Sequence, residues 1–211
     1  MPRACECREQ HVRRRIVLTG GPGAGKTAVL ELIRHSLCSH VEVLPEAAGI
    51  VFGGGFPRRS ALGARQAAQR AIYHVQRELE AAADANGCAI VLCDRGTMDG
   101  VAYWPGPGDF CEAQGTTRSE IFARYHAVIH LRVPDARHGY DHRNPLRLES
   151  ADEAHAIDER ILAAWAGHPH LHVIDPSHDF MEKARRTIEL LRADLPECCR
   201  EPVPRSLYAL G

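Results

Sequence analysis

Five short apolar runs punctuate the chain, and the polar stretches between them carry apolar residues at helical spacing. The runs are Ile16-Val17-Leu18, Val41 with Val43 and Leu44, residues 89–92, Val128 and Ile129 with Leu131, and residues 171–174. Each has the length of a buried strand, and 89–92 is apolar throughout, as expected of an interior strand. His130 interrupts the fourth run. Between the runs, Ala28, Val29, Leu30, Ile33 and Leu37 recur at helical intervals. So do Leu62, Ala68, Ile72, Val75 and Leu79, in a helix expected from an N-cap at Ser60 to residue 84 and ended by Asn86-Gly87. Ile157, Ile161 and Trp165 mark another helix, which Ser150 and Glu153 open as a capping box; Thr117 and Glu120 do the same for a short one. Phe180, Ala184, Ile188 and Leu191 face inward on a last helix that opens at Asp179 and stops at Pro196. Strands alternating with helices predict a three-layer α/β domain, with about five mostly parallel strands and helices on both faces.

The stretch after the first strand turns from apolar to glycine-rich. It reads Gly20, Gly21, Pro22, Gly23, Ala24, Gly25, Lys26, Thr27. This is G-x-x-x-x-G-K-[ST], with a strand before it and a helix after it. Backbone N–H groups can approach a phosphate chain closely only where side chains are absent. The opening helix adds unpaired N–H groups and the positive end of its dipole. Lys26 can reach terminal phosphates, and Thr27 can offer its hydroxyl to Mg²⁺. Only two of the 26 basic residues are lysines, Lys26 and Lys183. Arginine dominates elsewhere, whereas a compact ammonium suits a phosphate cradle. The fold expected is therefore a P-loop NTPase of the kinase-like type.

Other candidate residues follow the later strands. Glu46 lies just past the second strand and Pro45, where open α/β sheets bind ligands; a solvated loop acid is the alternative. Gly53-Gly54-Gly55-Phe56-Pro57-Arg58-Arg59 reads as a loop whose arginines could grip an anion. Asp94-Arg95-Gly96 follows the third strand directly. An acid there can hold the magnesium shell or accept a proton from an attacking hydroxyl, and the arginine can clamp a phosphate. Residues 98–114 read as a second loop, able to cover an acceptor pocket. Residues 134–148 are polar and carry Arg137, Arg143 and Arg147. This is a lid position, from which Arg143 and Arg147 could stabilise a transferring phosphoryl group; an ordinary solvated loop is the alternative.

Composition narrows the class. The 211 residues, 45% of them apolar, suit one domain with a lid. The expected division is an irregular arm over 1–14, a nucleotide-binding domain over 15–195 with its lid at about 134–150, and an irregular tail over 196–211. A formal net charge of −1 gives no overall pull toward nucleic acid or membrane. No run approaches a membrane span, and MPRACECREQHVRRR has no apolar core like that of a secretory leader. The eight cysteines include Cys5-x-Cys7 and Cys198-Cys199 but no C-x-x-C pair, so neither a zinc ribbon nor a thioredoxin motif is expected. Free thiols in a reducing cytoplasm are the reading adopted. His138 and His142 are four apart, but Gly139 and Pro145 argue against a helix there. His168, His170 and His172 lie around Pro169 with no thiol or carboxylate pattern nearby.

LTGGPGAGKT, LPEAAGIVFGGGFPR, IYHVQRELE, LCDRGTMDGVAYWPG and NPLRLESADEAHAIDERI together resemble the NadR/TRPL-translocation-defect type of P-loop domain, an AAA-like ATP-binding family. The resemblance spans roughly residues 15–195. Its phosphate loop is generic, and its CDRG–AYWPG stretch is more specific. It implies a kinase-like sheet and nucleotide binding. It also implies that Asp94 and Arg95 match the acid–arginine pair of nucleoside and thymidylate kinases, with Glu46 near the carboxylate after their second strand.

The expected activity is Mg²⁺- and ATP-dependent phosphoryl transfer to a small, nucleoside-like hydroxyl acceptor. Lys26 and the loop amides hold the phosphates, Thr27 and Asp94 hold Mg²⁺, Asp94 or Glu46 is the base, and Arg95, Arg143 and Arg147 steady the transferring group. The alternative is a nucleotide-dependent binding module or switch with slow hydrolysis. A conventional GTPase is disfavoured because neither lysine follows an asparagine, as N-K-x-D requires. An oligomeric motor is disfavoured because no second helical domain follows residue 195.

Overall fold

Alternate residues of the first strand serve opposite faces of the sheet, and this alternation builds the layers. In the computed structural model, β1 (Arg14–Thr19) sends Ile16 and Leu18 into one apolar cluster and Val17 into the other. β3 (Ile90–Asp94) and β4 (Ala127–Leu131) divide in the same way: Leu92 and Ile129 join the first cluster, Val91 and Val128 the second. The structure describes residues 7, 11–37, 39–134, 150–176, 180–197 and 200.

β2 (Val41–Leu44) and β5 (Leu171–Ile174) complete a sheet of order β2-β3-β1-β4-β5, parallel in every pairing. On one face, α1 (Lys26–Ser36) and α8 (Phe180–Asp194) meet through Leu30 and Ile33 against Ala184, Ile188 and Leu191. On the other face lie α3 (Leu62–Asp84) and α7 (Ala151–Trp165), which contribute Tyr73, Ala83, Ile161 and the fully buried Trp165. The chain leaves β1 toward β2 over the first face and leaves β3 toward β4 over the second. The carboxyl ends of β1 and β3, paired at Leu18 and Asp94, therefore flank the crevice where such sheets bind ligands.

Both capping boxes form, at Thr117–Glu120 before α6 (Arg118–Phe122) and at Ser150–Glu153 before α7. After Glu46 comes α2 (Ala47–Gly53), a helix for which no element was expected. Three local expectations are corrected. Residues 98–114 contain a 3-10 turn (Thr97–Asp99), α4 (Gly100–Tyr103) and α5 (Phe110–Ala113) where a loop was expected. Ser60 does not cap α3: Ala61 precedes the helix, and no side chain caps it. The face of α3 is also rotated: Ala68 is buried as expected, but Tyr73, Gln76 and Glu80 are buried with it, and Leu62 is 47% exposed. Polar partners cause the rotation, since Glu80 accepts from Gln76 (3.0 Å) and Tyr125 (2.7 Å) and pairs with Arg124. Among the described residues no helix is long and apolar enough to cross a membrane.

Candidate functional site

The phosphate loop is held by the end of β4 and the first half of α7. Gly20 has φ 138°, and a Cβ there would lie 2.1 Å from the Leu131 carbonyl oxygen. At Gly21 a Cβ would meet the Val133 side chain at 2.6 Å and Asp158 at 2.8 Å. Sequence and tertiary packing thus demand glycine at both positions. The Gly21 amide donates to Asp158 Oδ1 at 2.7 Å. That fully buried carboxylate also contacts His130 Nε2 (2.9 Å), accepts from the Val133 amide (3.3 Å) and pairs with Arg132 (3.2 Å). Burial pushes the Asp158 carboxyl up, but His130, the Gly21 amide and Arg132 together hold it below its ordinary value. From α8, Lys183 Nζ donates to the carbonyls of Ala24 (3.3 Å) and Arg132 (3.0 Å). Phe180, expected to point inward, is 37% exposed and lies beside Gly25 at the mouth of the loop.

Gly25 caps α1 in the left-handed conformation, and Lys26 begins the helix. The Lys26 ammonium is buried and donates to the carbonyls of Gly20 (2.9 Å) and Gly21 (3.0 Å) in its own loop. Burial lowers its pKa to about 7, the Arg95 guanidinium adds to this, and Asp94, Glu46 and Asp99 oppose it. An ammonium desolvated this far gains from an incoming polyanion, so the loop fits a phosphate chain. Thr27 is exposed on the first turn of the same helix.

Asp94 ends β3, and Arg95 turns the chain with φ 70°, unusual for a residue other than glycine. The turn aims the guanidinium across the crevice. Its Nε donates to Glu46 Oε1 (2.7 Å), and its Nη1 donates to the Gly20 carbonyl and to Asp99 Oδ2, both at 3.2 Å. Asp99 also accepts from Thr19 Oγ1 (2.5 Å) and from Trp165 Nε1 (2.6 Å). Burial raises the Asp94 pKa; Lys26 opposes the rise and Glu46 reinforces it. The structure thus brings together Lys26, Asp94, Arg95 and Glu46. Arg143 and Arg147 lie outside the described residues.

Beside this cluster is a cavity of about 420 Å³ between α2, α3 and α4. Phe52, Tyr73, Tyr103 and Phe110 give it aromatic walls, while Arg58, Gln69 and Gln76 supply polar groups. Pro22 of the phosphate loop, Glu46 and Arg95 also line it, so the cavity opens on the phosphate site. The Arg58 guanidinium sits 3.9 Å from the centre of the Phe52 ring.

A model of the AAA-domain family AAA_28 matches residues 15–183. The chain belongs to this AAA-domain family. No curated protein matches the sequence. Among solved structures the chain is similar to thymidylate kinase from Candida albicans, with a TM-score of 0.54 at 11% identity, covering 87% of this chain and 92% of that one. At that identity the likeness is one of fold, and it places this AAA domain among three-layer α/β P-loop proteins of the kinase-like type. Within the domain, sequence reading missed Asp99, Asp158 and Lys183. Asp99 is four residues past Arg95, a spacing that offered a clue. Asp158 sits inside an amphipathic helix and looks like any solvent-facing acid until α7 is placed against the loop.

Proposed function

We propose that this AAA domain binds Mg²⁺-ATP at residues 20–27 and transfers the terminal phosphoryl group to a hydroxyl of a small aromatic, nucleoside-like acceptor. The observation that carries this reading is the aromatic cavity whose lining includes Pro22 of the phosphate loop, Glu46 and Arg95. A cavity of this size beside the phosphate site suits a small aromatic acceptor.

Lys26 leaves the loop carbonyls for the phosphate chain. Thr27 and Asp94 are the residues that would hold Mg²⁺, which when bound neutralises phosphate charge. Arg95 keeps a guanidinium at the mouth of the acceptor cavity. Glu46 lines that cavity and Asp94 does not, which supports Glu46 as the group taking the acceptor's proton. The acceptor oxygen bonds to the terminal phosphorus, the bond to the bridging oxygen breaks, and the proton passes to Glu46. Arg143 and Arg147 are proposed to steady the transferring group.

A screen of nucleosides and related aromatic alcohols for acceptor-stimulated ADP release tests this reading. The expected result is stimulation that Phe52→Ala and Tyr73→Ala weaken through the acceptor's KM. Hydrolysis that no acceptor stimulates would favour the switch.

A further inference from the structure

All five strands run in one direction, so the phosphate loop occupies one edge of the sheet and the strand starts occupy the other. At the starting edge, His40 sits in the turn between α1 and β2. Its carbonyl is fixed by the amides of Ala89 (2.9 Å) and Ile90 (3.0 Å). Cys7 and His11, which precede β1, reach the same place. Cys7 Sγ lies 3.5 Å from His11 Nε2, and the His11 ring packs edge-on against His40 with centroids 4.9 Å apart. One donor atom from each of the three residues lies within 4.8 Å of the others, and all three side chains are half-buried.

We propose that Cys7, His11 and His40 bind a zinc ion. One thiolate and two imidazoles form a borderline-soft set, suited to Zn²⁺ and poorly suited to Mg²⁺ or Ca²⁺. Zn–S and Zn–N bonds of about 2.3 and 2.0 Å at a tetrahedral angle hold sulfur and nitrogen about 3.5 Å apart. Cys7 and His11 already have that separation. The His40 donor lies within 4.8 Å of the other two and joins the shell by side-chain rotation, and among the described residues these three make up the ligand group. The bound ion ties the segment before β1 to the α1–β2 turn, on the edge away from the nucleotide. Its role is therefore to brace the fold. The site is independent of the proposed phosphoryl transfer.

The test uses the full chain without an affinity tag, loaded with Zn²⁺ and then dialysed against zinc-free buffer. Elemental analysis is expected to find about one zinc per chain. Chelator competition should show Cys7→Ser and His40→Ala weakening zinc affinity at least tenfold, while His35→Ala, an exposed histidine on α1, leaves it unchanged. Co²⁺ in place of Zn²⁺ should give tetrahedral visible bands and a thiolate charge-transfer band in the near ultraviolet, both read on the unmutated protein. Three results overturn the proposal: no retained zinc, wild-type zinc affinity in both ligand variants, or a Co²⁺ spectrum without the thiolate band.

Discussion

Arg95 Nε donates to Glu46 Oε1 over 2.7 Å, so the turn after β3 grips the residue that follows β2. The same guanidinium reaches the Gly20 carbonyl, which ties both turns to the phosphate loop. Arg95→Lys cannot make these planar contacts together. It is expected to lower acceptor-dependent turnover more than tenfold, about 1.4 kcal/mol of barrier. Glu46→Gln is expected to lower turnover about a hundredfold or more while nucleotide affinity, measured by calorimetry, changes little. Wild-type rates in both variants would reduce the pair to a structural clasp.

Lys26 gives a pH signature. In the free fold its pKa is lowered to about 7, chiefly by burial. Between that value and the ordinary lysine range, the unfolded chain binds more protons than the folded one, so stability of the free protein rises with pH across this window. A phosphate chain beside the ammonium restores the proton. At pH 8, nucleotide binding is therefore expected to take up protons, and affinity should fall as pH rises from 7. Titrations in buffers of different ionisation enthalpy measure the uptake, and Lys26→Met should abolish it. At a hundred times its dissociation constant, nucleotide should stabilise the wild-type protein by about 2.7 kcal/mol, roughly 5–10 °C in Tm.

Asp158 is fully buried and has four partners, three of them buried: Gly21, His130 and Val133, with Arg132 partly exposed. Asp158→Ala leaves His130 Nε2 and the Gly21 and Val133 amides without this partner, and Arg132 keeps only its pairing with Glu159. A loss of about 3–5 kcal/mol is expected in denaturant melts. A loss under 1 kcal/mol would mean that the loop does not depend on α7.

Two glycines should respond in opposite directions to the same substitution. Gly20→Ala drives a methyl group against the Leu131 carbonyl at positive φ and is expected to cost about 3 kcal/mol or more. Gly63, in the first turn of α3, has nothing within 4 Å of its added Cβ. Gly63→Ala should stabilise by about 0.5–1 kcal/mol, read from the same melts.

Arg143→Ala and Arg147→Ala are each expected to reduce acceptor-dependent turnover more than tenfold, with a smaller change in ATP affinity. Equal rates in wild type and both variants would remove these arginines from the reaction.

What could be read from the sequence was local. The phosphate loop announces itself because chemistry and backbone geometry demand the same residues at fixed spacing. The interior strands β1 and β3 show as unbroken apolar runs, β4 as one interrupted by His130, and the two capping boxes need only four residues each. Glu80 and Asp158 were illegible because their partners come from distant elements: Arg124 and Tyr125 for Glu80, Gly21 and His130 for Asp158. The face of α3 was misjudged for the same reason, since apolar periodicity gives no weight to a buried acid with strong partners. Cys7, His11 and His40 form no recognisable sequence motif, because α1 and β1 lie between two of the ligands and the third.

The sequence contains only two lysines, and Lys26 and Lys183 both donate to carbonyls of the phosphate loop. Apart from the chain's own amino terminus, acylating reagents that seek primary amines therefore have no other target. Labelling becomes a footprint of this one loop, with no background from the rest of the surface. Lys26, whose pKa burial lowers to about 7, should be the faster of the two to react wherever the reagent gains access. Protection of that single residue would report nucleotide occupancy directly, by the mass of one peptide.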